Sequence, residues 1–121
     1  MKKYIVLLLL CLPLQAFGDV IQYNRCKVNA GKTLADVRVW LNDWRALVKK
    51  EGIDYRVRLL QPHADPAIPL TDFFIEGTTS TFESYGKAQE WWYSAPAAQP
   101  SRAQLTSAAA CDSGSMVRTT D

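Results

Sequence analysis

The most regular hydrophobic pattern in the chain lies between Thr33 and Gly52, where apolar residues recur at helical spacing. The later members fall 3, 4, 7, 10 and 11 positions after the first, and the set is Val37, Trp40, Leu41, Trp44, Leu47 and Val48. Such a stripe predicts an amphipathic helix. Thr33 and Asp36 match a capping box, with Asp in place of the usual Glu, and Gly52 supplies a left-handed stop. We therefore predict a helix that begins after Thr33 and ends before Gly52.

Runs of β-branched and aromatic residues predict four strands. They cover residues 21–28, 55–59 and 73–77 and a last segment that surrounds Cys111 and ends at 116–118. The second strand is the clearest, because Tyr55, Val57 and Leu59 alternate with two arginines. The third, from Phe73 to Gly77, is apolar on both faces, which indicates that both faces are covered there.

A second helix is predicted over residues 81–94, where Ser80 and Glu83 match a second capping box. Gly86 weakens it by about 1 kcal/mol relative to Ala. The three prolines of residues 61–69 indicate a loop. Residues 95–107 are rich in Ala, Pro, Ser and Gln and predict a connection with no more than a helical turn near Arg102.

These elements follow the order strand, helix, strand, strand, helix, strand. The order is that of the ferredoxin-like α+β fold, a four-stranded antiparallel sheet with two helices on one face. In this topology the first and last strands are neighbours, so Cys26 and Cys111 come close together.

The first 18 residues have the three parts of a secretory signal peptide. Lys2 and Lys3 precede an apolar run from Tyr4 to Leu14, and Ala16-Phe17-Gly18 offers a cleavage site before Asp19. The run is shorter than the roughly 20 residues of a membrane span. An uncleaved anchor is one alternative. A lipoprotein acylated at Cys11 is another alternative, although acylation needs a small residue just before the cysteine and Leu10 is not small. We predict an exported protein, periplasmic or secreted, with residues 19–121 as a single domain and no membrane attachment after cleavage.

Cleavage also changes the charge and the cysteine count. Fourteen Lys and Arg become twelve, against twelve Asp and Glu, so the mature chain is near neutral and does not indicate nucleic-acid binding. Cys26 and Cys111 remain, and in an oxidising compartment they are expected to form one disulfide. Two free thiols or an intermolecular bridge are the alternatives. Two cysteines and one histidine do not indicate zinc.

One motif resembles that of a group of small exported bacterial proteins of unknown function. It consists of Cys26, Asn29, Gly31-Lys32-Thr33, Asp36-Val37, Trp40 and Trp44, followed by Cys111-Asp112-Ser113. Their fold is similar to the dimeric α+β barrel superfamily, in which two ferredoxin-like subunits pack sheet against sheet. That superfamily includes antibiotic-biosynthesis monooxygenases and haem-degrading enzymes. The resemblance implies the fold and a homodimer, but no activity, and the histidine that haem-degrading members carry on the second helix has no counterpart here.

Two candidate catalytic motifs are weak. Gly31-Lys32-Thr33 ends like a phosphate-binding loop, but Cys26 stands where that loop needs glycine. His63 is two residues from Asp65, and the two could act in acid–base chemistry, yet no nucleophile can be placed beside them. We therefore predict no catalytic residue, no metal and no cofactor.

Trp91, Trp92 and Tyr93 are the strongest indication of a binding surface. Successive helical residues point about 100° apart, so the three rings cannot all face the core. We assign Trp92 to the core and Trp91 and Tyr93 to possible binding, with Asn29 as a possible polar contact. The leading hypothesis is a non-enzymatic homodimer or a module that binds a small apolar or aromatic ligand or a partner. The alternative is a cofactor-independent oxygenase-like or isomerase-like enzyme.

Overall fold

A computed structural model describes residues 19–63 and 67–119, so the predicted signal peptide and Asp65 lie outside the described residues. The strands are β1 (Val20–Val28), β2 (Arg56–Leu60), β3 (Asp72–Thr79), β4 (Ala109–Cys111) and β5 (Ser115–Arg118). The helices are α1 (Leu34–Glu51), α2 (Phe82–Ser94) and α3 (Gln99–Ala108), the last preceded by a 3₁₀ turn at Pro96–Ala98. The strand and helix order has the ferredoxin-like arrangement predicted from the sequence.

The sheet is antiparallel in the order β2-β3-β1, and β4 and β5 both pair with β1. Cys26 is opposite Cys111 and Tyr23 is opposite Ser115, so the two residues between them on β1 face three residues on the other side. One extra residue on one strand is a β-bulge. The predicted fourth strand is therefore present as two short strands on either side of a bulge.

Side chains fix this bulge. Asp112 Oδ1 accepts the backbone N–H groups of Arg25 and Gly114, each at 3.0 Å. Gly114 has a φ of 80°, a conformation that favours glycine. The bulge therefore needs both the acidic side chain and the glycine that follows two residues later.

Helix α1 confirms the prediction made from its apolar stripe. The Thr33 N–H donates to the Asp36 carboxylate at 2.8 Å, and Gly52 ends the helix with a φ of 67°. The buried side chains are Val37, Trp40, Leu41 and Trp44, which are members of the predicted stripe. They pack on the helix-facing side of the sheet, against Phe73 and Ile75 among others.

The second half of the chain differs from prediction in two ways. Helix α2 is capped by Thr81 rather than Ser80, because the Ser84 N–H donates to Thr81 Oγ1 at 3.0 Å. Residues 99–108, predicted as a connection, form the third helix. Pro100 is compatible with it because the first turn of a helix needs no donor from that residue. Leu105 of this helix packs against the core.

Cys26 and Cys111 form the predicted intramolecular disulfide, which joins β1 to β4 across 85 positions of sequence. Cys26 is buried and Cys111 is exposed. None of the helices within the described residues has both the length and the apolar character needed to cross a membrane.

Candidate functional site

A cavity of about 220 Å³ lies between the helix-facing side of the sheet and the three helices. Its apolar wall is formed by Trp40, Trp44, Tyr55, Val57, Ile75, Ala88, Trp92, Tyr93 and Leu105. Its polar residues are Gln22, Asn24, Gln89 and Asp112, and Cys111 also contributes. An apolar cavity of about 150 Å³ holds benzene, and drug-sized ligands occupy about 300 Å³ or more. The size therefore suits a ligand of one or two rings.

Trp44 is the centre of the aromatic wall. Its ring lies 5.0 Å from the Trp92 ring and 5.7 Å from the Trp91 ring, both in edge-to-face geometry. The Tyr55 ring is 6.1 Å away and the Trp40 ring 5.9 Å. These are the separations of favourable aromatic pairs. The wall is consequently a packed set of rings from α1, α2 and the residue just before β2.

The two tryptophans of α1 differ in hydrogen bonding. The Trp40 indole N–H donates to Ser101 Oγ at 3.1 Å, which ties α1 to α3. The Trp44 indole N–H is buried and has no hydrogen-bond partner among the described residues. A buried donor without a partner costs about 1–3 kcal/mol. The unpaired N–H of Trp44 therefore lowers stability, and an unpaired buried group of this kind can mark a functional site.

The polar end of the cavity is built around Tyr55. Its hydroxyl donates to Gln22 Oε1 at 2.7 Å, and Gln89 Nε2 approaches the same oxygen at 3.5 Å. Burial raises the pKa of Tyr55 well above its usual value, so the phenol stays protonated and can donate. Gly77 makes room for this hydroxyl, because a Cβ at that position would overlap the Tyr55 side chain.

Asp112 is the only charged residue among those lining the cavity. Its Oδ1 is engaged by the two backbone N–H groups of the bulge, and its carbonyl accepts from Asn24 Nδ2 at 2.9 Å. The part of the cavity next to Asp112 is therefore held by the bulge and by the neighbouring disulfide.

Not all of the predicted binding residues line the cavity. Tyr93 is exposed and lines the cavity. Trp91 and Trp92 are both half-buried, and it is Trp92 that lines the cavity, whereas Trp91 packs on Trp44. Asn29 lies outside the cavity lining, and its amide donates to the carbonyls of Thr106 and Ser107 at 2.8 and 3.0 Å. These are carbonyls of the last turn of α3, so Asn29 caps that helix.

The sequence analysis did not identify Gln22 or the Tyr55 hydroxyl as polar groups of the cavity, nor Gly77 as the residue that makes room for that hydroxyl. A signal for the first was available, because alternation places Gln22 on the same face of β1 as Val20 and Cys26, both buried. A polar side chain on a buried face usually has a specific partner. The partner itself comes from a strand 33 residues away and could not be inferred from spacing.

The other candidate residues are not brought into the cavity. His63 is exposed in the connection between β2 and β3, and Thr33 with Gly31 serves the start of α1. Within residues 19–63 and 67–119 there is no group of three or more His, Cys, Asp or Glu that could hold a metal ion.

No protein-family model matches the chain, and no curated protein matches it in sequence. Solved structures do match it in fold. SnoaB, a cofactor-independent oxygenase from Streptomyces nogalater, is 12% identical with a TM-score of 0.63, over 86% of this chain and 95% of that chain. An uncharacterized NIPSNAP domain protein from Burkholderia xenovorans is 9% identical with a TM-score of 0.62, over 84% and 94%.

A dimeric protein of unknown function and ferredoxin-like fold from Bacteroides fragilis is also similar. It is 11% identical with a TM-score of 0.53, over 85% of this chain and 99% of that chain. Identities this low establish a shared fold and no shared activity. The chain thus shares the ferredoxin-like α+β fold with these structures.

Proposed function

We propose that this protein is a non-enzymatic binding module that holds a small aromatic ligand in the cavity between sheet and helices. The observation that carries the proposal is the wall of packed rings around a space of about 220 Å³. Aromatic lining with a few polar groups is the usual composition of a small-molecule site. Tyr93, 69% exposed at the edge of the cavity, is a contact available to an entering ligand.

Native mass spectrometry of the protein, purified from the cells that produce it, tests the proposal directly. A retained ligand appears as extra mass that disappears on denaturation. Ala88→Trp is the matched variant, because Ala88 is buried and lines the cavity, and a large ring there fills the space. Gly86→Trp, in an open position on the same helix, is the control. Ligand retained by Ala88→Trp as fully as by the control would contradict a cavity site.

A cofactor-independent oxygenase-like or isomerase-like enzyme is the second candidate, using the same cavity. The observation in its favour is that three titratable groups, Tyr55, Tyr93 and Asp112, line one aromatic cavity. We rank it lower because the raised pKa makes Tyr55 a poor base near neutral pH, and one Asp112 oxygen already accepts two N–H groups. Oxygen uptake or product formation from the retained ligand, lost in Asp112→Asn, would reverse this ranking.

Export is part of the proposal. A disulfide that joins the two ends of the folded chain is typical of proteins in oxidising compartments. We propose that residues 1–18 are removed and that residues 19–121 work as one domain in the periplasm or outside the cell. The mature protein should then begin at Asp19 and be two hydrogens lighter than its reduced form. A mass that retains Met1 would contradict export by cleavage.

The open face of the sheet supports a homodimer. Alternation places Asp72, Phe74 and Glu76 of β3 on this face. Cross-strand arginines neutralise the two carboxylates: Arg25 contacts Asp72 at 2.8 Å, and Arg58 binds Glu76 through two nitrogens. Phe74 lies between these pairs and is half-buried. A second copy can cover such a face without burying an unpaired carboxylate.

Sedimentation equilibrium at micromolar concentration tests the dimer. We expect Phe74→Asp to convert the dimer to monomer, because it removes the apolar ring and adds a third carboxylate between Asp72 and Glu76 on the same face. Val39→Asp is the control, since Val39 is 56% exposed on α1, away from the sheet. A monomer mass for the unmodified protein would refute the stable dimer.

A further inference from the structure

The polar end of the cavity has unused hydrogen-bonding capacity of a defined kind. Gln22 Oε1 accepts from Tyr55 and is approached by Gln89 Nε2. This arrangement fixes the orientation of the Gln22 amide, so its N–H₂ group is turned away from those partners. That N–H₂ group and the Gln89 Oε1 have no hydrogen-bond partner within the part of the chain that the structure describes. The cavity thus offers donors and an acceptor at one end.

The fold is adapted to keep this end in place. Gln22 and Gly77 are opposite each other on β1 and β3, and Gly77 is also opposite Val57 on β2. The missing side chain at Gly77 lets Tyr55 lie across the strand and reach Gln22. Glycine in the interior of a strand is unfavourable unless a close approach requires it. The close approach here positions a hydroxyl next to the Gln22 amide.

The charges around the cavity limit what can bind. None of the residues that line it is Lys, Arg or His, and its single carboxylate, that of Asp112, accepts two backbone N–H groups through one oxygen. An anionic ligand would therefore enter a largely apolar space without a cation to pair with, which is costly. The two N–H groups on Asp112 Oδ1 also weaken the attraction of this carboxylate for a cation, so the complementary ligand is neutral.

We infer that the cavity selects a neutral aromatic molecule that carries one group able both to donate and to accept, such as a hydroxyl or a carboxamide, and that Gln22 and Gln89 bind this group. The inference rests on the proposed aromatic site and adds the chemical class of its ligand. In this arrangement the ring packs against Trp44 and Trp92, and the polar group meets the amide of Gln22. Gln22 is the residue that determines specificity.

Three probes with one ring system test the inference: naphthalene, 2-naphthol and 2-naphthoate. Their dissociation constants are measured by chemical-shift titration of ¹⁵N-labelled protein. We expect 2-naphthol to bind about tenfold more tightly than naphthalene, the effect of one satisfied hydrogen bond. We expect 2-naphthoate to bind at least tenfold more weakly than 2-naphthol. If naphthoate binds as tightly as naphthol, the ligand is not restricted to neutral molecules and the inference is wrong.

Gln22→Leu should abolish the preference for naphthol while naphthalene binds as before. Gln89→Leu, a half-buried position on α2, is the second variant and should reduce the same preference. It provides the test if Gln22→Leu fails to fold. Gln99→Leu, an exposed glutamine at the start of α3, is the control and should keep it. Naphthalene and naphthol binding equally to the unmodified protein would overturn the inference and leave the aromatic site standing. Binding of none of the three probes would refute the aromatic site itself.

Discussion

The hydroxyl of Tyr55 occupies the space in which a side chain on Gly77 would lie. Substitution of Gly77 by Ala therefore forces the ring out of its position and breaks its hydrogen bond to Gln22. We expect Gly77→Ala to destabilise the fold by about 1–3 kcal/mol, the usual cost of overpacking. Urea unfolding measures the loss, and in a cycle with Tyr55→Ala the cost of Gly77→Ala should largely disappear.

Gly86 provides the matched control for this substitution. It lies in α2, and a Cβ there meets nothing within 4 Å. Glycine inside a helix is less favourable than alanine by about 1 kcal/mol, so Gly86→Ala should stabilise the protein by that amount. Two Gly→Ala changes with opposite signs would show that the Tyr55 contact, and not glycine as such, decides the outcome. A stabilising Gly77→Ala would contradict the described packing.

The Trp40 and Trp44 pair gives a second prediction. Both rings are buried, at 2% and 4% exposure, and one helical turn separates them. Trp40→Phe leaves the buried Ser101 hydroxyl without its donor, whereas Trp44→Phe removes an N–H that has no partner in the described structure. We expect Trp40→Phe to cost about 1–3 kcal/mol more than Trp44→Phe in urea unfolding. Equal costs would indicate that the Trp44 N–H is stabilised by the face of a neighbouring ring.

The sequence was sufficient to predict those parts of the fold that depend on local signals. Helix α1 has its stripe, its Thr33–Asp36 box and its Gly52 stop within twenty residues, and all three are present in the structure. The disulfide was predicted from the two cysteines that remain in an exported chain, the strand order agreed with it, and the structure contains it. Signals of this kind are available within one element or follow from topology, which restricts the possible arrangements.

The rest depends on contacts between distant parts of the chain. Helix α3 was missed because the Ala, Pro, Ser and Gln content of residues 95–107 favours a connection, although Pro96 and Pro100 both occupy first-turn positions where proline is tolerated. The bulge depends on one carboxylate that accepts N–H groups from two segments. The polar end of the cavity requires Tyr55 to cross over Gly77, and no pattern along the chain shows that crossing. Side chains that meet across elements are not encoded in periodicity.

The contribution of Glu76 to the unfolding free energy should decrease at low pH. The hydrogen bond from Arg58 lowers the pKa of Glu76 below its ordinary value of 4.5, more than burial raises it. A carboxyl whose pKa is lowered by folding stabilises the folded state above its ordinary pKa, and this contribution disappears as the pH falls through the lower value. We therefore expect the difference in unfolding free energy between the unmodified protein and Glu76→Gln to be constant above about pH 5 and to shrink below it. A difference that grows with acid would contradict this assignment.

The disulfide gives a third comparison of matched substitutions. Cys26 is 1% exposed and Cys111 is exposed, so they differ in burial but share one cross-link. Loss of a native disulfide from a small domain costs about 2–5 kcal/mol, mainly through the unfolded chain. Cys26→Ala and Cys111→Ala should therefore cost nearly the same in urea unfolding without reductant. With reductant, the unmodified protein should fall to the level of Cys111→Ala, and a reduced protein that keeps its full stability would exclude a role for the cross-link.

The three consecutive aromatic residues of α2 point in different directions and have different surroundings. Trp91 and Trp92 contact the Trp44 ring, whereas Tyr93 is 69% exposed and lines the cavity. We expect Trp92→Ala to lower the melting temperature markedly, because it removes a ring 5.0 Å from Trp44 and widens the cavity. Trp91→Ala should lower it as well. Tyr93→Ala should leave it nearly unchanged, since exposed side chains contribute little to stability.

Substitution of Tyr93 should affect ligand affinity although it has little effect on the melting temperature. Tyr93→Ala removes a contact at the cavity edge and should weaken binding of an aromatic probe such as 2-naphthol in the titration described above. Tyr93→Phe keeps the ring and is the matched control, so its affinity should be close to that of the unmodified protein. Weaker binding in Tyr93→Ala at an unchanged melting temperature would identify Tyr93 as a ligand contact. If Tyr93→Ala instead destabilises the fold as much as Trp92→Ala, the whole aromatic cluster serves packing, and a role for Tyr93 in binding is excluded.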